Sequence, residues 1–95
     1  MIVSMIQFIF EIPDAGSLKE KRRVIRSLKD KLRNRFHMSA AEVDLMDSLK
    51  FAQIGGALVS NSKAFGEQVM QKAFAMIERE MPVRIQDLSI HSEEF

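Results

Sequence analysis

The stretch SLKEKRRVIRSLKDKLRNRF, Ser17 to Phe36, reads as one amphipathic helix. Ser17 is a good N-cap residue, and Glu20 three positions on completes a capping-box pattern. Leu18, Val24, Ile25, Leu28, Leu32 and Phe36 recur at helical spacing on one side, which must lie against another layer. Lys19, Arg22, Arg26, Lys29 and Arg33 project beside it within an arc of roughly 80°, at about 100° per residue. Lys21 and Arg35 fall near the apolar side, where their stems are expected to snorkel along its edge. The stretch holds nine of the chain's 14 lysines and arginines against only Glu20 and Asp30, a local charge of +7. The other residues carry five basic and eleven acidic side chains, or −6, so a net charge of +1 conceals a segregated distribution.

Upstream, residues 2–12 place Ile2, Ile6, Phe8, Phe10 and Ile12 on one face and Val3, Met5, Gln7, Ile9 and Glu11 on the other, a strand pattern rich in β-branched and aromatic residues. Pro13-Asp14-Ala15-Gly16 breaks it. Downstream, residues 38–44 form a weaker strand, Leu45 to Ser48 a short connection, and residues 50–60 a third strand. In that strand Ala52, Ile54, Gly56 and Leu58 oppose Phe51, Gln53, Gly55, Ala57 and Val59, and Gly55-Gly56 marks a bulge or a close backbone approach. Asn61 or Ser62 caps a second helix over 63–80, with Phe65, Val69, Met70, Ala73, Phe74, Met76 and Ile77 as its broad apolar face. Met70, Met76 and the nearby Met81 are suited to filling irregular gaps in the core. Pro82 stops the helix. The last strand, 83–91, slips phase between Ile85 and Leu88, which predicts a β-bulge near Gln86-Asp87. The tail from His91 to Phe95 is expected to fray.

The order β-α-β-β-α-β in 95 residues predicts a single domain, 1–95, with a ferredoxin-like α+β sandwich: a four-stranded antiparallel sheet with both helices on one face. Zero cysteines exclude disulfides and thiolate chemistry and are compatible with a reducing cytoplasm. The apolar opening lacks a basic leader and a small-residue cleavage site, and it is too short to span a bilayer as a helix. A cytoplasmic protein with no membrane association is the expectation.

Through SLKEKRR (17–23), LRNRF (32–36) and AEVD (41–44), with Ile12-Pro13, Ile54-Gly55 and Val59-Ser60-Asn61, the chain resembles the YlxP-like family of small bacterial proteins without an assigned activity. The resemblance spans nearly the whole length, and the helix block is its most specific part. It implies a ferredoxin-like fold and a genetic setting beside transcription-elongation, translation-initiation and ribosome-maturation factors, and it implies no catalytic residues. Leu49 stands where relatives tend to carry tryptophan, and a basic residue usual near Phe51 is missing. Gly56 replaces a branched apolar residue, which is expected to loosen the third strand.

Three surfaces compete for a role. The basic stripe Lys19, Arg22, Arg26, Lys29 and Arg33 fits phosphate contact with RNA or a ribonucleoprotein, with Arg35 a further forked donor. The same stripe also fits an acidic protein surface or a solvated helix face. The uncovered sheet face (Val3, Met5, Ile9, Phe51, Ala57 and Val59) is apolar enough to build a homodimer or dock a protein. Base stacking in the manner of an RNA-recognition motif is disfavoured, because only Phe51 lies on the right face. Catalysis is not expected. The loop Pro13 to Gly16 lacks the phosphate-holding arginine of acylphosphatases, which share this element order, and no nucleotide fingerprint is present. His37 and His91 have no metal-ligand spacing with Asp44 or Asp47. Glu42 and Asp44, two apart on a strand, are expected on one face, as a polar edge or as partners of the basic helix. No metal, cofactor or small-molecule substrate is predicted, and the protein is read as a non-enzymatic binding protein.

Overall fold

A computed structural model describes all 95 residues. The elements are β1 (Ile2–Glu11), α1 (Leu18–Phe36), β2 (Ser39–Asp44), β3 (Phe51–Ser60), α2 (Lys63–Glu80) and β4 (Arg84–Glu94). The strands form one antiparallel sheet in the order β2-β3-β1-β4. This is the ferredoxin-like βαββαβ sandwich expected from the sequence. α2 lies over β1 and β4, whereas α1 packs on β2 and beside α2.

The alternation in β1 decides which face is covered. Ile2, Ser4, Ile6, Phe8 and Phe10 are buried beneath the helices. Ala52 and Ile54 of β3, Ile25, Leu28 and Leu32 of α1, and Met70, Ala73, Met76 and Ile77 of α2 complete the core. Each large apolar side chain so buried contributes about 1.5–3 kcal/mol relative to exposure. Met70, Met76 and Met81 are all buried, the gap-filling role expected of them.

Both helix starts are capped as their sequences suggest. Ser17 Oγ accepts from Glu20 N at 3.2 Å, and Ser62 Oγ accepts from Phe65 N at 3.2 Å. Glu20 returns the favour one residue early: its Oε2 accepts from Gly16 N at 2.7 Å, tying the preceding turn to the helix. α1 ends at His37 in the left-handed region (φ 55), whose N–H donates to Arg33 O at 3.1 Å.

The pairing of β1 with β4 shifts between Ile9 and Phe10, which face Asp87 and Ile85, so Gln86 is the bulged residue. The phase slip in the sequence locates it correctly. A second bulge at Val43 was not foreseen: Glu42 pairs with Ile54 and Asp44 with Gln53. It separates Glu42 from Asp44, so the two carboxylates do not share a face as period-two spacing implied.

Two further expectations are corrected. The tail does not fray: β4 continues to Glu94, opposite Ile2, and Phe95 N donates to Met1 O at 2.7 Å. β1 is an interior strand, so its first residues need a neighbour on both sides to satisfy their backbone groups. Nor is β3 loosened at Gly56. A Cβ there would stand 2.7 Å from Met38 Sδ and 3.2 Å from Ile6 Cγ2, so Met38, itself buried, already fills the space.

Candidate nucleic-acid interface

The charge of α1 divides into engaged and free cations. Lys21 is buried, only 2% exposed, where α1 meets β2 and the β2–β3 connection, and its stem does not snorkel out to solvent. Its Nζ donates to Leu45 O at 2.8 Å and to Ser48 O, and lies 3.8 Å from Glu42 Oε2. A charged group tolerates such a position only when it is hydrogen-bonded and its charge is paired, and here two carbonyls accept from it and a carboxylate balances its charge. Leu18, assigned to the apolar face, is instead exposed. In α2 the parallel substitution occurs: Phe65 is exposed and its neighbour Gly66 is buried.

Arg33 and Arg35 are engaged as well. Arg33 donates to Ala40 O at 2.6 Å and so ties α1 to the edge strand β2. Arg35 holds both oxygens of Glu80, each at 2.8 Å, joining α1 to the last turn of α2, with Lys31 at 4.0 Å and Arg79 at 3.2 Å from the same carboxylate. The Arg35 hydrogen bonds hold the Glu80 carboxyl below the usual carboxylate range, with desolvation opposing them and Arg79 assisting.

Lys19, Arg22, Arg23, Arg26 and Lys29 remain, and none has a carboxylate within salt-bridge distance. Four of the five residues first assigned to the stripe are therefore free, and Arg33 is the one with a structural task. Arg23 joins the free set. It lies four residues after Lys19 and three before Arg26, so helical spacing alone was enough to find it. Four of the five free side chains, all but Lys29, line two adjoining depressions. Lys19, Arg22, Arg23 and Arg26 form one; Arg23 and Arg26 continue into the other with Ser27, Asp30, Lys31, Asn34 and Arg35. No apolar side chain lines either.

On the opposite layer, the uncovered sheet face breaks into two apolar groups. Val3 faces Val59 and Met5 faces Ala57 at one end, with Val59 62% exposed. Ile9 and Phe51 lie towards the other end, beside Gln53 and Glu11, and Gln7 with Gly55 crosses between the groups. β4 contributes Asp87, Ser89, His91 and Glu93 to this face, so its margin is polar. His91 is paired with Glu93, while His37 serves as a helix cap. No three His, Asp or Glu side chains assemble into a metal-ligating group, and no helix is long and apolar enough to cross a membrane.

Comparison with known proteins agrees with this architecture. A family model described as "Protein of unknown function (DUF503)" matches residues 3–90. The uncharacterized protein YlxP of Bacillus subtilis (strain 168) is 37% identical over 67 residues, 70% of this chain and 73% of that protein. Among solved structures, a structural-genomics protein, YJCS, superposes with a TM-score of 0.59 at 12% identity, over 98% of each chain. A dimeric protein of unknown function and ferredoxin-like fold from Bacteroides fragilis superposes with a TM-score of 0.51 at 12% identity, over 99% of this chain and 96% of its own. At these identities the two structures speak to the fold alone.

Proposed function

The chain belongs to the DUF503 family, to which the YlxP-like resemblance already pointed, and within that family we propose that it is a non-enzymatic cytoplasmic protein that binds RNA or a ribonucleoprotein through α1. The observation that carries this reading is the division of labour along one helix. Lys21, Lys31, Arg33 and Arg35 are spent on the protein's own carboxylates and carbonyls, while Lys19, Arg22, Arg23 and Arg26, all exposed, and the half-buried Lys29 have no carboxylate partner. A solvated face built only for balance would draw on the eleven acidic residues elsewhere in the chain, yet those acids leave these five cations alone. Unpaired cations at helical spacing are a footprint for phosphate, and each contact releases condensed counterions. A role in ribosome maturation or translation follows from the genetic setting that the family resemblance implies.

The test is charge reversal at Lys19, Arg22 and Arg26 together, which spares the structural Arg33. RNA affinity measured by fluorescence anisotropy at low salt is expected to fall about 100-fold or more, with the thermal unfolding midpoint nearly unchanged. Full affinity in a folded triple variant would overturn the proposal.

A homodimer through the uncovered sheet face is a second reading, favoured by the exposed Met5 and Val59 beside the half-buried Val3 and Ala57. The Bacteroides fragilis neighbour of the same fold is described as dimeric. Because the helices cover the other face of the sheet, such a dimer leaves α1 free. Sedimentation of the wild type is expected to show a dimer that Val59→Glu with Met5→Glu converts to monomer. A wild type that sediments as a monomer at high concentration rules this reading out.

A further inference from the structure

Resting on the RNA-binding reading of α1, we infer that the ligand of this face is a nucleic-acid double helix gripped by its phosphate rows, and not a single strand. The walls of the site argue for it. Neither depression contains an apolar side chain, and no aromatic ring lines them. The chain has no tryptophan or tyrosine, and none of its seven phenylalanines lines either depression: Phe8 and Phe10 are sealed in the core, Phe36 and Phe74 pack against it, Phe51 lies on the other face of the sheet, and the exposed Phe65 and Phe95 belong to the start of α2 and the C-terminus. Single-strand binders combine charge with rings on which bases stack, each stack contributing about 1–3 kcal/mol. This face offers the charge without the rings, so unstacked bases gain nothing from it.

The rigidity of α1 points the same way. α1 is fastened on both flanks and beneath: Arg33 to β2, Arg35 to α2, and Lys21 to the β2–β3 connection. From Lys19 to Lys29 its backbone advances about 15 Å, at about 1.5 Å per residue. Five cations carried on a backbone fixed along that length match charges that are themselves regularly placed, and a duplex carries one phosphate per about 3.4 Å of each strand. A flexible strand would have to be ordered against the helix at an entropic cost that nothing else at the site offsets. α1 packs on β2 and beside α2, so it offers a ligand one charged flank of a helix. Contacts from such a flank to backbone phosphates fix position without reading sequence.

The experiment compares the full chain's affinity for a short RNA duplex, the DNA duplex of the same sequence and an oligo(U) strand of equal phosphate number, across a sodium chloride series. Both duplexes are expected to bind about tenfold or more tightly than oligo(U), with log K falling against log salt at a slope of about −4.5 for five phosphates. The relative affinity of the two duplexes identifies the natural source: equality or a preference for RNA keeps the RNA reading, and a preference for DNA moves the same duplex-backbone chemistry to DNA. Oligo(U) binding as tightly as the duplexes overturns the inference and leaves the RNA-binding reading standing. Binding to none of the three overturns both.

Discussion

Gly66→Ala is expected to destabilise the protein by about 3 kcal/mol, a large loss for one methyl group. Alanine normally improves a helix interior by about 1 kcal/mol over glycine, so helix propensity alone predicts the opposite sign. Packing decides the matter. A Cβ at this position would overlap Ser4 Oγ outright and stand 2.8 Å from Ser4 Cβ. Ser4 cannot retreat: it is fully buried on the interior strand β1, and its hydroxyl shares a 2.8 Å hydrogen bond with that of Ser92 on β4. Either α2 lifts off the sheet or the hydroxyl pair breaks, and a buried hydroxyl left without a partner costs about 1–3 kcal/mol. The thermal midpoint should drop by roughly 15 °C, given about 4–8 °C per kcal/mol for a domain of this size. Ser4→Gly removes both obstructing atoms, so Gly66→Ala should cost much less in that background. An unchanged midpoint for the single variant, or equal losses in both backgrounds, would show that α2 does not dock through this glycine.

The second large effect is expected at Lys21. Lys21→Met keeps the aliphatic stem and removes the ammonium, isolating the polar contribution from the packing. Ser48 O loses the ammonium donor, Leu45 O keeps only Ser48 N at 3.0 Å, and Glu42 loses its only nearby cation in a partly buried position. Glu42 Oε2 has no hydrogen-bond partner even in the intact protein, so nothing else takes up the charge. Removing one member of a buried ionic cluster costs about 3–5 kcal/mol, and partial solvent access at Glu42 places this case near 3 kcal/mol. The loss should be local in its structural expression. Leu45 is held at φ 63, a left-handed conformation that a leucine adopts only under constraint, and Lys21 shares that constraint with the bonds from Leu45 N to Asp44 Oδ1 at 2.7 Å and from Ser48 N to Leu45 O at 3.0 Å. Urea unfolding should register the lost stability, and hydrogen exchange should show the amides of residues 45–51 losing protection ahead of the strands. Stability within 1 kcal/mol of wild type would mean that the connection is held by its own turn contacts, such as Phe51 N to Ser48 Oγ at 3.1 Å.

Comparing these two sites with the sequence shows where local patterns suffice. Strand alternation around Phe8 and Phe10, the helical periodicity of Ile25, Leu28 and Leu32, and the two-residue slip at Gln86 are all properties of neighbouring residues, and they placed the elements and the fold correctly. What failed depends on partners distant in the chain. Helical spacing puts Leu18 and Lys21 on the same side of α1, and hydrophobicity then favours the leucine. The outcome was reversed by carbonyls more than twenty residues away, which only the folded β2–β3 connection presents. Phe65 outranks Gly66 on any apolar scale, yet close approach to Ser4 selects the residue without a side chain. In the candidate interface, the positions of the cations were legible but their availability was not. Arg33 and Lys29 look alike in the sequence, and they part company because Ala40 O lies within reach of one of them.

The segregation of charge has a kinetic consequence that the net value of +1 hides. With five uncompensated cations on α1 and Asp87, Glu93 and Glu94 along the β4 edge, the protein is a strong electric dipole with almost no monopole. Within about 10 Å of a polyanion at ordinary ionic strength, the field exerts a torque well before any atom touches. The molecule therefore turns its helix towards the anion while still diffusing, so more of its collisions arrive in the productive orientation than chance would give.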